Sequence, residues 1–203
     1  MSIRNLGPAF LPRSVALIGA SDREGSVGRV VLRNVIDGGF GGSIYPVNPK
    51  YREVFGLTCY PRIADIPDVP DLAVIMTPPQ TVPGLVAKLG ERGTRTVVVM
   101  TAGLNSSNGL RQAMLDAARP HLLRVIGPNT IGILAPHQRL NASFAHMGAQ
   151  PGGLALLSQS GAIVSSVMDW AAAEGIGFSH ILSLGDMADV DVGDCLDMVA
   201  RDG

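Results

Sequence analysis

Long apolar runs are missing from this sequence. Pro, Gly or a charged residue interrupts every one well before bilayer-spanning length, and the opening MSIRNLGPAFLPRS has no apolar core of signal-peptide length. No membrane partner and a cytoplasmic location are therefore expected. Cysteine is scarce: Cys59 and Cys195 stand far apart without metal-ligand spacing, which fits two free thiols in a reducing compartment better than a disulfide framework or a zinc site. Excess charge is missing too. Lys+Arg 16 against Asp+Glu 17 leaves a net charge of -1. With no basic run and no aromatic-basic interleaving, no nucleic-acid partner is expected, and any basic site must be local. Lysine is rare: apart from Lys50 and Lys88, every cation is an arginine.

Catalytic constellations are also lacking. No nucleophile, base and acid fall into a set, and no metal cluster appears. The acids Asp186, Asp189, Asp191, Asp194 and Asp197 lack the glycine and terminal glutamate of a calcium loop and read as helix capping and solvation. His121, His137, His146 and His180 read as structural or solvated.

What is present is 203 residues with 46% apolar and 16% charged content, enough for one domain or one domain and part of a second. Short apolar runs, SVALIGA, SIYPVNP, DLAVIMT, TRTVVVMTAG and LLRVIGPN, alternate with helical-period segments. Near-continuous apolar strands imply burial on both faces, hence a parallel sheet between helix layers. Val27, Val31 and Val35 mark one helix ending at Gly38-Gly39. Val82, Leu85, Val86 and Leu89 mark another ending at Gly93, and a third runs from a Ser106-Ser107 cap through Leu110 and Met114 to Pro120. The pattern predicts a doubly wound, Rossmann-like α/β domain over residues 1–130. Residues 131–153 are polar and aperiodic and read as a linker or long ordered loop. From residue 154 to 203 come two strands and two helices, with Ile163, Val167, Trp170 and Ala171 on one helix face. A two-stranded parallel sheet is rarely stable alone, so the chain is expected to stop inside a second α/β domain.

The stretch LIGASDREGSVG joins the first strand to its helix. A glycine-rich turn at a helix N-terminus offers backbone N–H groups to an anion. Gly19, Ser21, Asp22, Gly25, Ser26, Val27 and Gly28 are the candidates, although a tight turn also needs glycine. Gly25 follows Gly19 by six positions, wider than the dinucleotide fingerprint. The second strand ends in Asn48, Pro49 and Lys50, where an NAD site carries an acid. A cation there invites a ribose phosphate and fits coenzyme A or NADP. Thr77, Pro78 and Pro79 form either an apolar shelf for an adenine or a strand terminator. Thr101, Ala102 and Gly103 end the fourth strand, and Asn129 ends the fifth.

Taken together, LIGASDREGSVG, YPVNPK, TPP, TAG, IGPNTIGIL and SQSGA resemble the NDP-forming acyl-CoA synthetases, relatives of the α subunit of succinyl-CoA synthetase. The resemblance covers essentially the whole chain. It implies a CoA-binding domain followed by part of a flavodoxin-like ligase domain, with CoA or acyl-CoA as ligand. It also implies ADP or ATP and Mg in the parent protein, and partners in the remaining ligase and ATP-grasp domains or subunit, with a homo-oligomer possible. The resemblance assigns the CoA phosphates to Ser21 through Gly28, the ribose phosphate to Lys50, and the adenine to Thr77 through Pro79. Thr101 through Gly103 would line the pantetheine path, and Asn129 would sit near the thioester. Ser158, Ser160 and Gly161 would face phosphate or a phosphohistidine, itself beyond the chain end. LNASF and the stretch from Asp169 onward are similar also to a subset fused to a GNAT protein lysine acetyltransferase, in which this region senses acyl-CoA. Outside the family, an NADP-binding oxidoreductase domain is the alternative.

Overall fold

The computed structural model describes residues 3–200, so the ends of the expected domains at residues 1 and 203 lie outside the described residues. In chain order the elements are α1 (Gly7–Phe10), β1 (Ser14–Ile18), α2 (Val27–Asp37), β2 (Ser43–Val47), β3 (Glu53–Val54), β4 (Leu57–Thr58), β5 (Leu72–Ile75), α3 (Val82–Arg92), β6 (Thr96–Val99), α4 (Leu110–Ala118), β7 (Arg124–Ile126), β8 (Gly132–Ala135), β9 (Leu140–Ser143), β10 (Pro151–Ser158), α5 (Gly161–Ala173), β11 (Phe178–Ser183) and α6 (Val192–Val199).

The first sheet is parallel, in the order β2-β1-β5-β6-β7. Alternate residues of each strand feed two cores. Val15, Leu17, Val74 and Val98 join Val31, Leu32 and Val35 of α2 on one face; Ala16, Ile18, Ala73, Ile75, Val97 and Val99 join Val86 and Leu89 of α3 and Met114 of α4 on the other. This double burial is why the strands read as unbroken apolar runs. The register keeps the strands level: Ile18 pairs with Val47 and Ile75, Ile75 with Val99, and Val98 with Ile126. All five following loops therefore emerge on one edge.

The second sheet runs β10-β11-β8-β9. The segment expected as a linker thus contains β8, β9 and the start of β10; β8 and β9 pair antiparallel with each other, and β8 also pairs antiparallel with β11. Its polar character misleads because Asn141 and Ser143 are buried and hydrogen-bonded, and the Asn34 amide on α2 donates to the carbonyls of Ser143 (2.8 Å) and Ala145 (2.9 Å). Ile133, Leu140, Ala142, Leu182, Leu184 and Cys195 share one core with Val15 and Leu17, so the two sheets are joined by continuous apolar packing.

Two helix readings change. The cap of α4 is Gly109 in the left-handed region, not Ser106-Ser107, and the Asn108 side chain accepts from the Leu110 N–H at 3.1 Å. On α5 the buried residues are Val164, Met168 and Ala171, whereas Ile163 and Trp170 are 56% and 57% exposed. The helix is apolar nearly all round, so periodicity alone cannot fix its phase.

Candidate functional site

Strand order reverses between β1 and β5, which places a crevice at their carboxyl ends, the position where open α/β sheets receive ligands. Gly19 sits there with φ +97°. A Cβ on it would stand 3.1 Å from the Thr77 Cγ2. The loop then runs to Ser26, which caps α2 by accepting from the Arg29 N–H at 3.3 Å while donating to the Arg23 carbonyl at 2.7 Å. Ser21 is buried; its hydroxyl accepts from the Arg23 N–H at 3.0 Å and lies 3.1 Å from the Tyr51 hydroxyl. Both serine hydroxyls thus shape the loop. Gly25 has φ +72°, and a Cβ there would meet nothing within 4 Å, so it fronts open space. Gly28 differs: its Cβ would run into the Gly19 carbonyl, so its absence lets α2 approach β1. Helix geometry leaves the N–H groups of Val27 and Gly28 without intrahelical acceptors. Asp22 is exposed, and its carbonyl accepts from the Arg29 guanidinium.

At the end of β2, Asn48 is a strut. Its amide donates to the Ala20 carbonyl at 2.7 Å, and its side-chain oxygen accepts from the Lys50 N–H at 3.0 Å. Pro49 and Lys50 are exposed beside the glycine loop. Beneath them Cys59 donates to the Asn48 carbonyl at 3.6 Å, and burial pushes its thiol pKa up, which favours the protonated form.

From the crevice a continuous series of contacts crosses the sheet edge. Thr77 and Thr81 hydroxyls lie 2.7 Å apart; the Thr101 hydroxyl donates to the Thr77 carbonyl at 2.7 Å, and the Asn129 N–H donates to the Thr101 carbonyl at 3.1 Å. Pro78, Ala102, Gly103 and Asn129 are exposed along it and Pro79 is half-buried. The Asn129 amide donates to Asp186 at 3.2 Å, reaching the loop after β11. Two residues on, Ile131 fills the space that a Cβ on Gly161 would need, at the head of α5. There Ser160 caps the helix, accepting from the Ile163 N–H at 3.4 Å, and the Ser158 hydroxyl accepts from the Ser160 N–H at 3.1 Å. With strands about 4.8 Å apart, the step from β1 to β7 is about 14 Å, after which the α5 terminus follows.

The expected residues are therefore brought together along one edge, with Ser21, Ser26 and Asn48 holding the loops in shape. Sequence reasoning missed Tyr51 and a cluster beside the loop: the guanidinium carbons of Arg29 and Arg33 each lie 5.3 Å from the Phe55 ring centroid. The i, i+4 spacing of the arginines was readable; their partner was not. It also missed Arg124, which binds Asp189 at 2.9 Å and Asp194 at 2.6 Å at the opposite edge. Burial works against the Arg124 charge, but hydrogen bonds and charge from both aspartates outweigh it and raise its pKa. Asp191 does cap α6, accepting from the Asp194 N–H at 2.9 Å.

The histidines are engaged elsewhere: His180 is buried against the Phe10 carbonyl at 3.1 Å, His146 pairs with Asp169 at 2.7 Å, and His137 bonds the Gly152 carbonyl at 3.0 Å. Among the described residues no helix is long and apolar enough to cross a membrane, and no three His, Cys, Asp or Glu side chains group as metal ligands.

Comparison with known proteins bears on this geometry. The pattern of the CoA binding domain matches residues 13–136, and that of the succinyl-CoA ligase-like flavodoxin domain matches residues 151–203. The ADP-forming acetate–CoA ligase of Methanocaldococcus jannaschii is 41% identical over 193 residues, covering 94% of this chain and 27% of its own length. The α subunit of ADP-forming acetate–CoA ligase I of Pyrococcus furiosus is 36% identical over 206 residues, covering 98% of this chain and 45% of that subunit. A solved dinucleotide-forming acetyl-coenzyme A synthetase 1 of Ca. Korarchaeum cryptofilum, in complex with phosphate and ADP, superposes with TM-score 0.91 at 38% identity, covering 97% of this chain and 43% of that one. The chain thus spans between a quarter and a half of the length of these relatives.

Proposed function

Because the chain belongs to the CoA-binding domain family, with a succinyl-CoA ligase-like flavodoxin domain following, we propose that it supplies the CoA site of an ADP-forming acyl-CoA ligase. The parent reaction is acyl-CoA plus phosphate plus ADP giving acid, CoA and ATP. Acetate is the acyl group suggested by the relatives' names. ADP and Mg belong in this proposal to the rest of the parent protein, as do the ATP-grasp and remaining ligase parts.

The observation that carries the reading is the pairing of an open glycine loop at the strand-order switch with Lys50 where an NAD site carries an acid. The N–H groups of Val27 and Gly28 and the positive end of α2 face the diphosphate, with Gly25 leaving room for it. Lys50 meets the ribose phosphate. Thr77 through Pro79 flank the adenine or the start of the pantetheine arm, which follows Thr101 through Gly103 to Asn129. The thioester then lies toward the Ser160 cap of α5, whose N-terminal N–H groups stabilise an acyl phosphate or a phosphorylated side chain.

Calorimetry with CoA, dephospho-CoA and NADPH tests this. CoA is expected to bind and NADPH not. Lys50→Ala is expected to weaken CoA about tenfold while leaving dephospho-CoA unchanged, since the two ligands differ only in the ribose phosphate. Unchanged CoA affinity in Lys50→Ala removes Lys50 from the site, and preference for NADPH overturns the reading.

A further inference from the structure

The glycine loop is short of positive charge on its own. Ser21 and Ser26 use their hydroxyls internally, the loop's one cation, Arg23, stands between Asp22 and Glu24, which outweigh it, and the N–H groups at the head of α2 carry only partial charges. A diphosphate needs a full cation within reach, and Lys50 lies at the end of β2 rather than on the loop. The Arg29 guanidinium is already on the loop, donating to the Asp22 carbonyl. It is held there by Phe55, whose ring faces Arg29 and Arg33 at 5.3 Å each. Phe55 and Gly56 form the tip of the β3–β4 hairpin with φ of +50° and +78°. That conformation suits Asn-Gly and is an outlier for a bulky residue, so the fold accepts strain to present this ring to α2.

We propose that Arg29 is the cation that binds the CoA diphosphate, and that Phe55 on the β3–β4 hairpin is the positioning residue that holds it on the loop. The proposal rests on the CoA reading of that loop. Stacking on the ring orders a long side chain before ligand arrives, so less entropy is lost on binding. The planar fork then exchanges a neutral carbonyl acceptor for charge-assisted bonds to phosphate oxygens. Arg33, one turn further along α2, shares the ring but is farther from the loop, and it is paired with Asp37 at 3.8 Å.

Calorimetry on the full chain, with CoA and dephospho-CoA and with thermal melts in parallel, decides this. Arg29→Gln is expected to weaken both ligands by the same factor, about tenfold, because both carry the diphosphate. Phe55→Ala is expected to weaken both about threefold in the wild-type background and to add nothing in Arg29→Gln. Arg33→Gln is expected to change either by less than about twofold. If Arg29→Gln does not fold, Arg29→Lys keeps the charge and stem, and about a threefold loss is expected. Unchanged affinity in the Arg29 variant overturns the assignment, as does a loss seen with CoA but not dephospho-CoA, or a Phe55→Ala effect independent of Arg29. Failure of the wild-type chain to bind CoA at all overturns the reading of the loop itself, and the proposal with it.

Discussion

Gly25 and Gly28 stand three residues apart in one loop, yet alanine at each should fail differently. At Gly28 an added methyl meets the Gly19 carbonyl oxygen directly and stands 3.0 Å from the carbonyl carbon, both backbone atoms that cannot rotate away. Helix α2 must then lift from β1, loosening Val31, Leu32 and Val35, all fully buried. Overpacking costs about 1–3 kcal/mol, a clash this close with fixed backbone belongs at the upper end, about 3 kcal/mol, and alanine's better helix propensity returns about 1 kcal/mol at most. A net loss of about 2 kcal/mol is expected, or about 4–8 °C in melting temperature for a chain of this size. At Gly25 nothing lies within 4 Å, so the cost is that of an alanine at φ +72°, about 1 kcal/mol and about 2–4 °C. Its methyl, however, fills the space through which a phosphate would approach, and CoA affinity should drop about tenfold or more. Differential scanning calorimetry and CoA titration on the two variants check this. A Gly28→Ala protein that melts like wild type, or a Gly25→Ala protein that melts lower than Gly28→Ala, refutes the division of roles.

Arg124 is 12% exposed and Asp194 5%, so Arg124→Met takes a cation from a buried carboxylate and should cost about 3 kcal/mol in denaturant titration, while adding Asp194→Leu should recover part of it. Burial, then the charges of Asp194 and Asp191, pushes the Cys195 thiol up to about 12 from an ordinary 9.0. The folded chain therefore keeps a proton that the unfolded chain releases. The stability from this group is full below pH 9.0 and lost between there and about 12, which pH-dependent melts would show as a falling limb that Cys195→Ala removes. On α5, Met168→Ala should cost about 2–4 kcal/mol and Trp170→Ala about 0.5 kcal/mol, and equal costs would mean that the burial phase is wrong.

The strands of the first sheet were legible because both their faces are buried: a run such as Val15 to Ile18 leaves no polar position to confuse the pattern. The candidate site edge was legible for a related reason. In a parallel sheet every strand's carboxyl end points the same way, so Gly19, Lys50, Thr77, Gly103 and Asn129 could be gathered on one edge from strand direction alone. The helices α2 and α3 declared their faces through apolar residues set against polar ones, whereas α5 did not.

The sequence by itself determined the parallel sheet, the glycine loop after its first strand and the small and polar residues at its strand ends, since these depend on local period and strand direction. Tertiary structure alone decided what each loop residue does. Gly28 proved to be a packing contact with Gly19, and Ser21 and Asn48 proved to be struts joining separate loops. The polar stretch after the fifth strand became two strands because β11 pairs with its backbone, the Asn34 amide on α2 donates to its carbonyls, and its buried Asn141 and Ser143 side chains bond each other. Arg124 met Asp189 and Asp194, and Arg29 met Phe55, across 65, 70 and 26 positions of sequence separation. Such pairings leave no periodic trace in the chain, because only the folded backbone brings their members within reach.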